Sequence, residues 1–505
     1  MNIKIRKTSV RCLALLAMAL LTLSSCSDWL DVKGENIQKE EDQFGNYKGF
    51  RDALTGCYME MASKSAYGQN LTMTDIEDLA SLWVVDESEP MRYQLYNHDY
   101  TSDEARAEIK TIYAKLFTII ASANVILKNI KDNGSNIPDA QARAMIEGEA
   151  YAIRAYCQLD VLRLFGQVPG GTTQVRLPYS ETTSIDKQPA YYDFNAYVAK
   201  LDADLTAAET LLKDNDPVMS QTFTALNNPT SKVEDNYKLY RQSRLNYWAV
   251  RALHARMALY VGKTQQAHDI AIEIINAKGA DGNALISLSG ISDLQQGYRA
   301  LPSECLFYLS KYDVNSTANA VLLGGRNVQI RSYYYYVSSD MLEALYSSIP
   351  GATASHNRYI NEWDRTKKDP FGKICPTIKK YWYDETDDNL STSYLTTKLQ
   401  IVPMLRLSEM YLIAIETSND LTEIQSLYDT YMKSCAYTLY TPFASVDAAH
   451  AEMENEYRRE FYAEGQMLYV YKRLHATTMQ NNGTAMTEKN YIVPLPLTEY
   501  EPTTK

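Results

Sequence analysis

The chain has 505 residues, 22% of them charged, and a formal net charge of -12 at pH 7. That length allows one large domain or two ordinary ones with an ample core. The acidic balance argues against nucleic acid and against anionic lipid as partners.

The N-terminus has the three parts of a secretory signal. Lys4, Arg6, Lys7 and Arg11 are followed by an apolar run over 13–23 and then by Ser24, Ser25 and Cys26. The run is too short to span a bilayer comfortably. Leu23-Ser24-Ser25-Cys26 reads as a bacterial lipobox, so residues 1–25 are expected to be a signal peptide and Cys26 the lipidated first residue of the mature chain. Cleavage removes four cations and no acid, which takes the formal charge from -12 to -16. No later stretch reaches about 18 uninterrupted apolar residues. Residues 26–46 are polar, acidic and aperiodic, and read as a tether.

From 47 onward the apolar spacing turns helical. Phe50, Leu54, Cys57, Tyr58 and Met61 make a first stripe. Residues 65–103 are irregular, with Trp83-Val84-Val85 as their apolar point. Ile112, Leu116, Ile119, Ala123, Ile126 and Ile130 mark a long helix, and a second runs from about Pro138 to Phe165. Another is expected over 191–213. Residues 240–277 read as a helix pair turning at Gly262-Lys263-Thr264, with alanines in the seam that allow close approach. The Tyr-x-Gly turn followed by Ala-x3-Ala is similar to the tetratricopeptide unit. Over 279–400 the helical period fades and Gly, Ser, Asn and aromatics rise, as in a loop-rich, partly β insertion. Residues 304–310 read there as a strand. Helical pattern resumes over 403–416, 420–434 and 446–474, and the tail over 491–499 reads as extended.

Chemistry-bearing motifs are sparse. The six histidines show no H-E-x-x-H spacing, and neither a P-loop nor G-x-S-x-G occurs. Cys57, Cys157, Cys305, Cys375 and Cys435 lack metal-ligand spacing; they read as buried thiols, with one disulfide left open. The acidic run over 384–388 lacks the full EF-hand pattern. Glu460 and Glu464 stand four apart on one helical face beside Arg458 and Arg459. They read as ion-paired scaffold rather than as an acid–base pair. No catalytic residue, metal or cofactor is expected.

Several stretches together resemble the SusD/RagB family of outer-membrane lipoproteins. They are Cys26-Ser27-Asp28-Trp29-Leu30-Asp31, residues 49–54, 154–166, 248–253 and 406–413, the run over 458–466, and Val493-Pro494-Leu495-Pro496-Leu497. The resemblance implies a mainly α fold with a tetratricopeptide-like scaffold (about 47–278 and 401–475) and a ligand-carrying insertion (about 279–400) within a single 47–505 domain. It implies a surface glycan-binding partner of a SusC-like TonB-dependent transporter, held in the outer membrane by lipid on Cys26, with Asp28 and Asp31 as the surface-export signal.

Sugar recognition needs flat rings for C–H faces and planar polar groups for hydroxyls. Trp83 reads two ways, as a stacking ring or as a core tryptophan among Leu79, Leu82, Val84 and Val85. An extended run Tyr333, Tyr334, Tyr335, Tyr336 would turn two rings inward and two outward. Arg326, Asn327 and Arg331 could serve hydroxyls, and Trp363 and Trp382 are further rings. Two alternatives stand beside capture of oligosaccharide or polysaccharide: peptide uptake on the same fold, and a glycoside hydrolase, for which no carboxylate pair is recognisable.

Overall fold

The computed structural model describes residues 40–183, 188–228, 235–323, 334–383 and 398–499. The signal and lipobox with Cys26, most of the tether, Arg326, Asn327, Arg331, Tyr333 and the acidic run over 384–388 lie outside the described residues.

Side-chain caps start the scaffold helices where the sequence changes period. In α1 (Tyr47–Met61) the Asn46 side chain accepts from Gly49 N, and Phe50, Leu54, Cys57, Tyr58 and Met61 are buried. Ser102 caps α2 (Asp103–Asn133), whose buried stripe includes Ile112, Leu116, Ile119 and Ile126. Among the described residues α2 is the one helix with the length and hydropathy of a membrane span. It instead packs against α1 and α3 (Ala140–Phe165). Asp193 and Asn246 cap α4 (Phe194–Lys213) and α5 (Tyr247–Tyr260). Then follow α6 (Thr264–Asn276), α7 (Leu407–Thr417), α8 (Leu421–Ser434), α9 (Val446–Phe461) and α10 (Met467–Arg473).

Each helix lies on the next. α3 sits between α2 and α4, α5 touches α4 and α6, α6 packs on α7, and α7 on α8 and α9. Ala252, Ala255, Ala267 and Ala271 are completely buried in the predicted seam. The α6–α7 contact joins helices that the long segment 277–406 separates in sequence. Arg256 on α5 fixes that arrangement with a fork onto Glu409 of α7, both bonds 2.7 Å, and a 3.1 Å bond to the Tyr156 hydroxyl on α3.

The separating segment is fastened at its base by β1 (Cys305–Ser310) and β2 (Ile401–Arg406), an antiparallel pair buried along nearly its whole length. Residues 403–406, expected as helix, are therefore strand: they pair with β1, and the helix starts at Leu407.

The helix expected over 446–474 also breaks. Ala463 and Gly465 take left-handed φ values of 62° and 69°. The buried Glu77 carboxylate accepts from the N–H of Ala463 at 2.8 Å and of Gly465 at 2.9 Å. A Cβ on Gly465 would lie 2.1 Å from Leu71 O, so the turn needs glycine. Glu77 belongs to a short helix (Asp75–Leu79) inside the stretch read as irregular; a second covers Pro90–Tyr96. The tail follows the body: Val493 N donates to Leu164 O.

Glu460 and Glu464 are buried in ion pairs. Arg406 reaches Glu304 and Glu464, each at 2.7 Å, and also Glu460. Arg358 lies 2.6 Å from Glu460, Lys380 lies 2.5 Å from Glu464, and Tyr431 donates to Glu460. Burial works against the Glu460 anion, but Arg358 and Arg406 outweigh it and hold the carboxyl well below the usual range. Glu362, in the same region, lacks such close pairing, and burial pushes its carboxyl up to about 7. Its folded form therefore keeps a proton that the unfolded chain releases above the ordinary value of 4.5, and stability falls as pH rises through that window. Glu362→Gln removes this slope. Denaturant titrations from pH 5 to about pH 8 should show the variant gaining on the parent as pH rises; parallel curves would refute the assignment.

Candidate functional site

Residues 334–337 form an extended thread through the inserted segment. Tyr335 N donates to Val321 O at 2.8 Å, Val84 N to Tyr336 O at 2.9 Å, and Val337 N to Pro376 O at 3.0 Å. The expected alternation holds in part. Tyr335 turns inward: its hydroxyl donates to Asp78 at 3.0 Å and the Arg92 guanidinium lies 3.7 Å over its ring. Arg92 in turn forks onto Asp78. Tyr334 is also buried, against Cys375, while Tyr336 packs on that same small cluster and stays half-exposed.

Trp83 is fully buried, edge-on to Tyr335 at 6.0 Å and Tyr462 at 5.2 Å, and 6.4 Å from Trp363. Trp363 is 2% exposed and stands in a short strand (Trp363–Asp364) paired with Thr377–Ile378. Thus Trp83, Tyr334, Tyr335 and Trp363 offer no ring face to solvent. They pack where the segment around Asp75–Leu79, the insertion and the end of α9 converge, because large rings gain most from full burial. For Trp83 the core alternative holds. Of the ring candidates inside the described residues, Tyr336 and the half-buried Trp382 remain at the surface.

The surface rings that sequence reading missed lie in the same segment. Between the paired strands the chain runs out as a hairpin to Asp369-Pro370-Phe371-Gly372. The Asp369 carboxylate accepts from Phe371 N at 2.9 Å and Lys373 N at 2.8 Å, and Gly372 takes φ 83°. Phe371 is 95% exposed at the tip, and Tyr312, just past β1, is 82% exposed. The signal was present: Asp-Pro-x-Gly is turn chemistry, and an aromatic side chain in a tight turn has nothing to pack against. The base of the hairpin lies on the Tyr334–Tyr336 thread through the Val337–Pro376 bond, so rigid, buried rings carry exposed ones.

Two surface clefts of about 520 and 550 Å³ meet at Glu147 and Tyr151 on α3, on the scaffold. The five cysteines are buried free thiols, and among the described residues no cluster of His, Cys, Asp and Glu could hold a metal.

Helices stacked in sequence, with an aromatic-cored insertion held over them, define the class: a mainly α scaffold protein presenting a ring-bearing surface. A family model described as starch-binding and associating with the outer membrane matches residues 28–259. "SusD-like protein P2" of Formosa agariphila is 28% identical over 184 residues, 36% of this chain and 35% of its own. The matches to curated relatives thus span about a third of their length. A SusD superfamily structure from Bacteroides thetaiotaomicron is 17% identical and covers 90% of this chain and 97% of its own, with a TM-score of 0.65. A surface glycan-binding protein from Bacteroides uniformis is 14% identical with the same coverages and a TM-score of 0.66. At such identities the structural likeness is one of fold. Together these findings make the chain a SusD/RagB-like protein.

Proposed function

We propose that this protein is a non-catalytic glycan-binding lipoprotein of the outer-membrane surface. It captures oligosaccharide or polysaccharide and passes it to a SusC-like TonB-dependent transporter. The observation that carries the reading is the set of rings held at the surface of the inserted segment, Phe371, Tyr312, Tyr336 and Trp382, over a rigid buried aromatic base. Exposed rings on a stiff support suit the C–H faces of sugars. The family description and the glycan-binding relative agree with this. The acids raised for hydrolysis, Glu460 and Glu464, are buried in ion pairs out of reach of any substrate.

Titration calorimetry of the mature chain against glycan and peptide mixtures tests the ligand. Phe371→Ala and Tyr336→Ala are expected to lower glycan affinity about threefold to thirtyfold each, on the scale of one lost ring contact. Their melting temperatures should match the parent's. Peptide binding with no glycan bound would refute the ligand class. Cys26→Ser should leave the fold and glycan binding intact but abolish labelling of the protein on whole cells; persistent labelling would refute the lipid anchor.

A further inference from the structure

Three cations stand together on the inserted segment without ion-pair partners. Arg365 follows the strand Trp363–Asp364, and its guanidinium lies 4.6 Å over the Tyr359 ring. Lys379 follows the paired strand Thr377–Ile378, and its N–H holds Glu362 O at 2.7 Å. Arg299 donates to Trp382 O at 3.1 Å and lies 5.2 Å over the Trp382 ring.

Among the described residues none of the three has a carboxylate at ion-pair distance. Their charges act on one another: Arg299 and Arg365 both oppose the Lys379 ammonium, which burial already disfavours, while Asp364 and Glu362 favour it more weakly. Burial also lowers Arg299, relieved in part by Glu362. The Arg299 Nε is buried without a hydrogen-bond partner. The hairpin beyond adds exposed Lys368 and Lys373. In a chain of formal charge -12, a cluster of uncompensated cations beside an aromatic ring costs free energy that a bound anion would recover.

We propose that Arg299, Arg365 and Lys379, with the Trp382 ring, form a subsite for an acidic sugar, its carboxylate or sulfate taken by the cations and its ring laid on the tryptophan. Guanidinium groups already stacked on rings present planar, fixed forks to such an anion. This subsite rests on the glycan-binding reading and narrows it from glycans in general to anionic ones.

The test uses the full mature chain in affinity electrophoresis and calorimetry. Polygalacturonate and dextran sulfate are the probes; carboxyl-reduced polygalacturonate and plain dextran are their neutral counterparts. At least one acidic polymer should bind about tenfold or more tighter than its counterpart, and which one tells uronate from sulfate. Arg365→Met and Lys379→Met should each weaken that binding about tenfold, with unchanged melting. Lys433→Met removes the same charge from exposed α8 and should change nothing. Raising the salt from about 20 to about 300 mM should narrow the preference. If neutral polymers bind as tightly, or if Lys433→Met weakens binding as much as Lys379→Met, the subsite is refuted while glycan capture stands. Failure of acidic and neutral glycans alike refutes both.

Discussion

Arg406→Met is expected to destabilise the protein by about 3–5 kcal/mol, the usual cost of removing one partner from a buried ion pair. Arg406 is 2% exposed and is the point at which Glu304, Glu460 and Glu464 meet. Without it, three buried carboxylates share Arg358 and Lys380, and some charge stays uncompensated. Arg406→Lys should recover only part of the loss, because an ammonium cannot fork to three acceptors. Chemical denaturation measures both. The same network sets a pH limit. Glu460 is held below its ordinary value, so its contribution is complete above about pH 4.5 and drains away as pH falls further. The parent should therefore lose stability on acidification more steeply than Arg406→Met does. A variant within about 1 kcal/mol of the parent would reduce the network to the standing of surface pairs.

Trp83→Ala is expected to cost about 3–5 kcal/mol by emptying the centre of the aromatic core, where Tyr335, Trp363 and Tyr462 meet. Trp83→Phe should cost much less. The indole Nε1 is buried with no hydrogen-bond partner, so replacing the ring loses volume but no bond. Both variants are to be compared by denaturation and by glycan titration at a temperature where each is folded. Glycan affinity should follow the folded fraction. A stable Trp83→Ala variant with selective loss of glycan binding would restore the tryptophan as a ligand contact.

The helical scaffold was legible because its signals are local. The stripe from Ile112 to Ile130 and the alanine seam around Ala255 and Ala271 each repeat at helical spacing over several turns. The break at Tyr462–Gln466 was not legible. Its cause is Glu77, nearly 390 positions away, whose carboxylate occupies the N–H groups of Ala463 and Gly465. Residues 403–406 read as helix for a similar reason: Met404 fits a helical stripe, but β1, about a hundred residues earlier, claims it as a strand partner.

For the candidate site, composition alone pointed to the right region. The rise of aromatics and turn residues over 279–400 marks where the surface rings are. Which rings face out was decided by tertiary packing. A tryptophan among leucines and a tyrosine in an extended run look alike whether buried or exposed, since side-chain period says only that faces alternate. Phe371 is the exception, outward because its turn leaves it no neighbour.

The sequence by itself determined the helix order, the helical character of the scaffold and the insertion that interrupts it, since each rests on spacing within a few turns of chain. The tertiary structure decided what depends on distant partners. It drew Trp83, Tyr335 and Trp363 into one core, used Glu460 and Glu464 to balance Arg406, and left Arg299, Arg365 and Lys379 together at the surface. Burial and charge pairing belong to neighbours in space, and no local pattern records which neighbours those will be.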